Sequence, residues 1–308
     1  MKRKYSVHQD FSCMAWFTSP FTKFIFPLAS WFLGFFSVKS DKQITVKKQK
    51  IQSKDGSFFK TLLIEPKGCE NKLPCMVYMA GGGFAFKPAP SHYRLIKEYS
   101  LKVNCKVLLA YYRLAPKYKF PLAVEDCYSA YEWVVNNAEE LGIEKNRIAV
   151  GGDSAGGNLA TACALTARDN GLQMPCFQML VYPVVDAEMR TESMKNYVDT
   201  PVWNAKLNQR MWTYYLASEQ DRNNPYASLM RAKSFSEMPT TYLEVAEFDP
   251  LRDEGVIYAK ALEKDGVSVT FYETKGTIHG FDFISKSEIV EKAVEERVRF
   301  MRENFELN

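Results

Sequence analysis

The segment Gly152-Asp153-Ser154-Ala155-Gly156 lies directly after an apolar strand-like run, Arg147 to Gly151, and directly before an Ala- and Leu-rich helical stretch, 155–169. A G-x-S-x-G turn between strand and helix is so tight that only small residues fit around the serine, whose hydroxyl is lifted clear of the backbone. The helix N-terminus then lies beneath that hydroxyl, where its dipole favours a developing negative charge. A strand that must turn at once into a helix belongs in a sheet covered by helices, which narrows the fold class to α/β. The plainer reading, a glycine-rich turn with an incidental serine, stays open at this point.

The rest of the chain has the pattern such a sheet requires. Ile44, Val46 and Ile51 stand apolar among lysines, and Phe59 to Glu65 follow an Asp55-Gly56 turn signal, which predicts an antiparallel hairpin. Continuous apolar runs follow at Cys75 to Met79, Val107 to Tyr112, Ile148 to Val150, Phe177 to Tyr182, Thr241 to Val245 and Val269 to Tyr272. Short runs of this kind suit strands buried on both faces of a parallel sheet. Between them, apolar residues from Cys127 to Leu141 recur at helical spacing, predicting a helix that begins near Asp126 and stops at Gly142. Glu288 to Phe305 reads as a charged amphipathic helix. Strands alternating with helices imply a mostly parallel sheet with helices on both faces. Residues 187–238 break the rhythm, with Trp203, Met211, Trp212, Tyr214 and Tyr215 spaced among polar residues. They are expected to form helices outside the sheet, a cap whose aromatics either pack on the body or line a pocket.

At 308 residues, 46% hydrophobic and 25% charged, the chain is a soluble globular type, neither collagen, disordered tail nor multispan membrane protein. The charge is uneven: residues 1–72 carry a surplus of +8 and the remainder sums to −4. A basic leader suits anionic lipid, a nucleic-acid partner or nothing specific, and no nucleic-acid recognition motif accompanies these lysines. From Phe11 to Phe36, 10 of 26 residues are aromatic and Lys23 is the one charge. Pro20, Lys23 and Pro27 interrupt that run, leaving it too short to cross roughly 30 Å of hydrocarbon, and no small-x-small cleavage site follows. Two short amphipathic helices are expected there, covering the body as part of a lid and, in the sharper version, also resting on a membrane surface. Seven cysteines, an odd number with no C-x-x-C pair, read as reduced and mostly core residues, and imply no zinc site.

A serine hydroxyl is a weak nucleophile and needs a base. Of the three histidines, His8 lies in the basic leader and His92 follows Pro90-Ser91 at a helix start, so both are expected to be surface or structural. His279, flanked by Gly276 and Gly280 after the last strand, can project over the sheet's carboxyl edge and is the expected base. Its expected carboxylate partner is Asp249, just past the strand Thr241 to Val245; the rival role for Asp249 is a helix N-cap with Pro250 at the first helical position. Asp253 should lie inside that helix, and Asp282 is close in sequence to His279. The order Ser154, Asp249, His279 is that of α/β-hydrolase triads. Gly81-Gly82-Gly83, after the strand Cys75 to Met79, offers backbone N–H donors for an oxyanion. A phosphate loop would need a following Lys-Ser/Thr, which is absent.

With these motifs in order, residues from about 70 to 300 resemble the hormone-sensitive-lipase-like branch of the α/β-hydrolases, a group of carboxylesterases. The resemblance rests on Gly81-Gly82-Gly83-Phe84, Tyr112-Arg113-Leu114-Ala115-Pro116 with Phe120-Pro121-Leu122-Ala123 and Glu125-Asp126, Gly152-Asp153-Ser154-Ala155-Gly156-Gly157, Asp249-Pro250-Leu251-Arg252-Asp253-Glu254-Gly255 and His279-Gly280-Phe281. It implies an α/β-hydrolase fold over residues 41–308, an N-terminal cap segment over 1–40 and a cap insertion at about 187–238. It further implies Ser154 as nucleophile, His279 as base and then acid, Asp249 as its partner, and an oxyanion hole from the N–H groups of Gly82, Gly83 and Ala155. No metal or organic cofactor is implied, and the expected reaction is hydrolysis of short- to medium-chain acyl esters through an acyl-enzyme. The expected partners are a small-molecule ester, a membrane surface met by residues 11–36 and a second copy of the chain in a homodimer, with no nucleic acid; the expected location is the cytoplasm, with membrane association through the N-terminus. The alternatives are a non-catalytic small-molecule binding protein on the same fold and a membrane-surface lipase or deacetylase. One departure stands out. The family's glycine run is His-Gly-Gly-Gly, its histidine holding the loop by hydrogen bonds, and here that position is Ala80. A more mobile oxyanion loop is therefore expected.

Overall fold

A computed structural model of the protein describes residues 5–14, 26–69 and 71–306. Among these, eight strands form one sheet: β1 (Ile44–Gln52), β2 (Phe58–Pro66), β3 (Leu73–Met79), β4 (Lys106–Tyr111), β5 (Ile143–Asp153), β6 (Phe177–Val181), β7 (Thr240–Phe248) and β8 (Val269–Ile278). Their order is β1-β2-β4-β3-β5-β6-β7-β8. The expected hairpin pairs β1 with β2, and β2 adds antiparallel to β4; from β4 to β8 every neighbouring pair is parallel. The helices are α1 (Phe26–Leu33), α2 (Pro90–Val103), α3 (Leu122–Asn136), α4 (Ala155–Asp169), α5 (Glu192–Asn196), α6 (Ala205–Tyr215), α7 (Arg252–Lys264) and α8 (Glu288–Glu306).

The continuous apolar runs have the reason expected of them. Every residue of β3 is buried. Cys75, Val77 and Met79 enter one core layer with α3, α4 and α7, while Met76 and Tyr78 enter the opposite layer with α2 and α8. Each fully buried side chain of this size contributes about 1.5–3 kcal/mol relative to exposure. All seven cysteines are free; Cys75, Cys105, Cys127 and Cys163 are buried, Cys176 is half-buried, and Cys13 and Cys69 are exposed. The helix expected from near Asp126 to Gly142 instead runs from Leu122 to Asn136. It ends where Asn137 turns its own amide onto the Trp133 carbonyl (2.8 Å), so the last apolar positions, Ala138 and Leu141, belong to the turn that feeds β5.

Residues 187–238 leave the sheet between β6 and β7, where α5 and α6 form outside it. Of the aromatic leader, residues 15–25, with Pro20 and Lys23, lie outside the described residues. The flanking parts form a 3-10 turn, Gln9–Met14, and α1. His8 donates its backbone N–H to the Gly276 carbonyl (2.8 Å), and Phe11 packs on Phe281. Phe26 of α1 meets Phe86 and Tyr214 of α6 at ring-centre distances of 6.0 and 5.5 Å. No described helix is long and apolar enough to cross a membrane.

The apolar stripe of α8 contains a fully buried guanidinium, Arg297, between Val294 and Val298. It donates to both carboxylate oxygens of Glu244 on β7 (2.9 and 2.6 Å), to Asp282 (2.8 Å) and to the Tyr99 hydroxyl on α2 (3.0 Å). Removing one partner of such a network strands the others in a medium that cannot solvate them. Arg297→Ala is therefore expected to lower the unfolding free energy by about 3–5 kcal/mol in urea titrations. An unchanged midpoint would show that the network does not pin α8 to the sheet.

Candidate active site

β5 ends at Asp153 and α4 begins at Ala155, leaving Ser154 alone at the turn with φ 54° and ψ −120°. Such a backbone costs a non-glycine residue about 1–3 kcal/mol and persists only where its surroundings hold it. Here the Ser154 N–H donates to the Val181 carbonyl of β6 (2.8 Å), and its carbonyl accepts from Val184 (3.1 Å) and Asn158 (3.2 Å). The flanking glycines are required by contact: a Cβ on Gly156 would overlap the Met79 carbonyl, and one on Gly152 would overlap Gly156. The elbow thus lies backbone to backbone with the end of β3, the root of the glycine run.

His279 follows β8 directly. Its Nδ1 is 2.6 Å from Asp249 Oδ2 and its Nε2 is 2.9 Å from Ser154 Oγ. With Nδ1–H donating to the carboxylate, Nε2 is free to accept the serine proton. The second oxygen of Asp249 accepts from the Leu251 N–H (2.9 Å), which fixes the carboxylate's rotation. The ring lies between Tyr182 and Trp203, at centroid distances of 4.7 and 5.9 Å. Ser154, Asp249 and His279 are 5%, 0% and 6% exposed, so the constellation is nearly closed to water. The three residues singled out from the sequence are thus brought together.

Asp249 is not the N-cap of the next helix. α7 starts at Arg252 with Leu251 at its N-cap, so Pro250 lies outside the helix; one Asp249 oxygen meets His279 and the other accepts from the Leu251 N–H in the turn before it. Asp253 lies inside α7, as expected, paired with Arg252. Asp282 faces away from the triad and accepts from Arg297 and from the Tyr182 hydroxyl (2.6 Å).

The glycine run takes conformations closed to most side chains, with φ 129° at Gly82 and 56° at Gly83. The backbone N–H groups of Gly82, Gly83 and Ala155 donate to no described acceptor. Backbone N–H groups without a protein acceptor are the kind of donor a tetrahedral oxyanion requires.

Of the two roles expected for His92, surface or structural, the structural one holds. His92 is 4% exposed, accepts from the Ala89 N–H at Nδ1 (2.9 Å) and meets Asp153 Oδ2 at Nε2 (3.1 Å). Because Nδ1 is the acceptor, Nε2 carries the hydrogen. The same Asp153 carboxylate accepts from the Tyr78 hydroxyl (2.8 Å) and from the Gly81 N–H (3.0 Å). Tyr112 donates to the Ala80 carbonyl (2.7 Å). The first residues of the glycine run are therefore anchored on both sides without a histidine at position 80, contrary to the loosening expected from Ala80. Sequence reasoning missed His92, Tyr78 and Asp153 as a unit because they are distant in sequence; the available signal was an aspartate beside the serine, in a turn that buries it. Burial alone would raise the Asp153 carboxyl, but His92 and the donors from Tyr78 and Gly81 outweigh it and hold it below the usual carboxylate range.

A family model described as alpha/beta hydrolase fold matches residues 76–283. The chain is 33% identical over 260 residues to ethyl acetate hydrolase of Pseudomonas putida, covering 83% of this chain and 81% of that one. It is 36% identical over 214 residues to an arylesterase of Saccharolobus solfataricus, covering 67% of each. The solved structure of a bacterial heroin esterase superposes with a TM-score of 0.90 at 32% identity, over 97% of this chain and 98% of that one.

Two outcomes follow from the anchored loop. A carboxyl with a lowered folded pKa adds stability that is present above its unfolded value, about 3.9, and is lost as pH falls through the folded one. The melting-temperature gap between wild type and Asp153→Asn should then be full near neutrality and close on acidification; a gap independent of pH would refute the assignment. Ala80→His, placing a large ring at a buried position beside a loop already held, should give no gain in kcat on a nitrophenyl ester. A clear gain would mean that the loop does need the histidine.

Proposed function

Because this chain belongs to the α/β-hydrolase family, in its hormone-sensitive-lipase-like branch, we propose that it hydrolyses short- to medium-chain carboxylic esters by a serine acyl-enzyme route. Carboxylesterase-type ester hydrolysis is the chemistry of its esterase relatives. The observation that carries the mechanism is the placing of His279 between Ser154 Oγ and Asp249 in a nearly closed site.

Ser154 Oγ attacks the ester carbonyl as its proton passes to His279 Nε2, while Asp249 stabilises the imidazolium across Nδ1. The negative charge that develops on the carbonyl oxygen is met by the N–H groups of Gly82, Gly83 and Ala155 and by the N-terminus of α4. The tetrahedral adduct collapses, the alkoxide leaves with the proton from Nε2, and an acyl-Ser154 remains. Water, deprotonated by the same Nε2, then attacks the acyl carbonyl and releases the acid. Steps of this kind need no metal or organic cofactor.

The catalytic body spans 41–308 on this reading, and residues 1–40 with about 187–238 form one cap. The contacts of Phe26 with Tyr214, and of Tyr5 with Tyr197 (5.7 Å), support joining those two parts. Preference for short and medium acyl chains is supported by the close cover over Ser154 and by the bulk of Trp203 and Tyr182 against the base.

The test is a chain-length series of 4-nitrophenyl esters. Wild type should turn over the acetate and butyrate esters best. Ser154→Ala should lose about 10⁶-fold in kcat, and Asp249→Asn about 10⁴-fold. A Ser154→Ala variant that kept wild-type turnover would overturn the mechanism, and a maximum at palmitate would overturn the chain-length preference.

A further inference from the structure

We propose that the outward face of α1, together with the lysines of the β1–β2 hairpin, is a docking surface for an anionic lipid bilayer. A helix lying on a protein body normally turns its apolar stripe inward. α1 does so with Phe26, which is buried together with Ser30, whose hydroxyl donates to the Ala85 carbonyl (3.2 Å). Its exposed side is apolar too: Leu28, Trp31 and Phe32, at the i, i+3, i+4 spacing of one helical face, and Phe35, in the turn that follows the helix, are 65%, 59%, 57% and 67% exposed. Trp31, Phe35, Phe32 and Phe36 form a chain of ring contacts, at 4.6 Å between Trp31 and Phe35, 6.4 Å between Phe35 and Phe32 and 5.5 Å between Phe32 and Phe36.

Phe36 opens onto a cavity of about 680 Å³ that it lines together with Phe58 and with Lys48, Lys50, Lys60 and Lys87. The hairpin register sets Lys50 opposite Lys60 and Gln52 opposite Phe58, so Lys48, Lys50, Lys60 and Phe58 share one sheet face. None of the four lysines has a carboxylate partner among the described residues, although Lys47 of the same strand pairs with Glu65 (2.6 Å). No carboxylate lines the described part of the cavity, and the sequence from Phe11 to Ser40 contains no Asp or Glu.

Whatever covers this surface must offer apolar area and negative charge together. A second copy docked through the same face would set lysines against lysines, which opposes association. Residues 15–25, whose single charge is Lys23, supply no anion. An anionic bilayer supplies both requirements, its acyl region to the aromatic stripe and its headgroups to the ammonium groups. α1 is hydrogen-bonded to the segment that continues the glycine run, Ser30 accepting also from the Lys87 N–H (3.2 Å). A docked bilayer would therefore lie beside the cover of the catalytic serine.

Co-sedimentation of the full chain with vesicles tests this without using hydrolysis, so it succeeds or fails independently of the esterase reading. The protein should pellet with vesicles of phosphatidylglycerol in phosphatidylcholine, much less with phosphatidylcholine alone, and less as salt is raised. Trp31→Ser with Phe35→Ser should abolish pelleting. Each of Lys48→Gln, Lys50→Gln and Lys60→Gln should weaken binding about fivefold. Turnover of a soluble nitrophenyl ester should be unchanged in all of these variants, which also reports that they are folded. Equal binding to both vesicle types, pelleting unaffected by the variants, or a wild-type dimer in sedimentation velocity that Phe35→Ser dissolves would each overturn the proposal.

Discussion

Two backbones in direct contact decide where the chemistry of this chain sits. Gly156, at the start of α4, touches the Met79 carbonyl at the end of β3, with no room between them for one methyl group. That contact sets the strained serine beside the glycine run, so the proposed nucleophile and oxyanion donors come from two strands yet share one rigid corner. The strain at Ser154 is sustained by hydrogen bonds from β6 and the segment after it. A bulkier residue at Gly156 would not merely perturb a helix. It would drive β3 away from β5 and carry Gly82 and Gly83 with it.

Behind that corner lie two buried charge networks, one for each half of the site. Asp153, held by His92 and Tyr78, anchors the glycine run; Arg297, held by Glu244 and Asp282, lies behind the loop of the base. Asp282 accepts from the hydroxyl of Tyr182, whose ring packs on His279, so two residues, Asp282 and Tyr182, link the guanidinium to His279. The two networks meet on α2, which supplies His92 to the first and Tyr99 to the second, and the rings of Tyr78 and Tyr99 lie 6.4 Å apart. Buried ions are poor sources of stability, since desolvation offsets most of the attraction. Their benefit here is geometric: dipoles fixed before the substrate arrives need no reorganisation as charge develops.

The triad was legible because each member sits at a strand end with its own local signature: small residues around Ser154, glycines around His279, a proline after Asp249. The sheet was legible because a strand buried on both faces has no polar alternation to confuse it. What escaped was set by tertiary contacts. His92 carries no mark in its neighbourhood, and its role depends on Asp153, 61 positions away. Arg297 did carry a mark, since it occupies a slot in the apolar stripe of α8 where a solvated charge does not belong. Ala80 misled for a related reason. One missing histidine suggested a loosened loop, while the replacement anchors come from Asp153 and Tyr112, on other elements.

The orientation of α1 shows a further limit of pattern reading. Its sequence, FPLASWFL, is apolar nearly all round, so periodicity alone cannot choose which face is buried. The choice is made by fit, Phe26 between Phe86 and Tyr214 and the small Ser30 against the Ala85 carbonyl, and the larger rings are left outside by that selection. The two-residue period of the hairpin then gathers Lys48, Lys50 and Lys60 on one face. The surplus of +8 in the first 72 residues is thus partly concentrated beside an outward aromatic face, while the rest of the chain carries −4. Such a separation of charge gives the molecule a direction in any external field, with the basic N-terminal side attracted to a negative surface and the acidic remainder repelled.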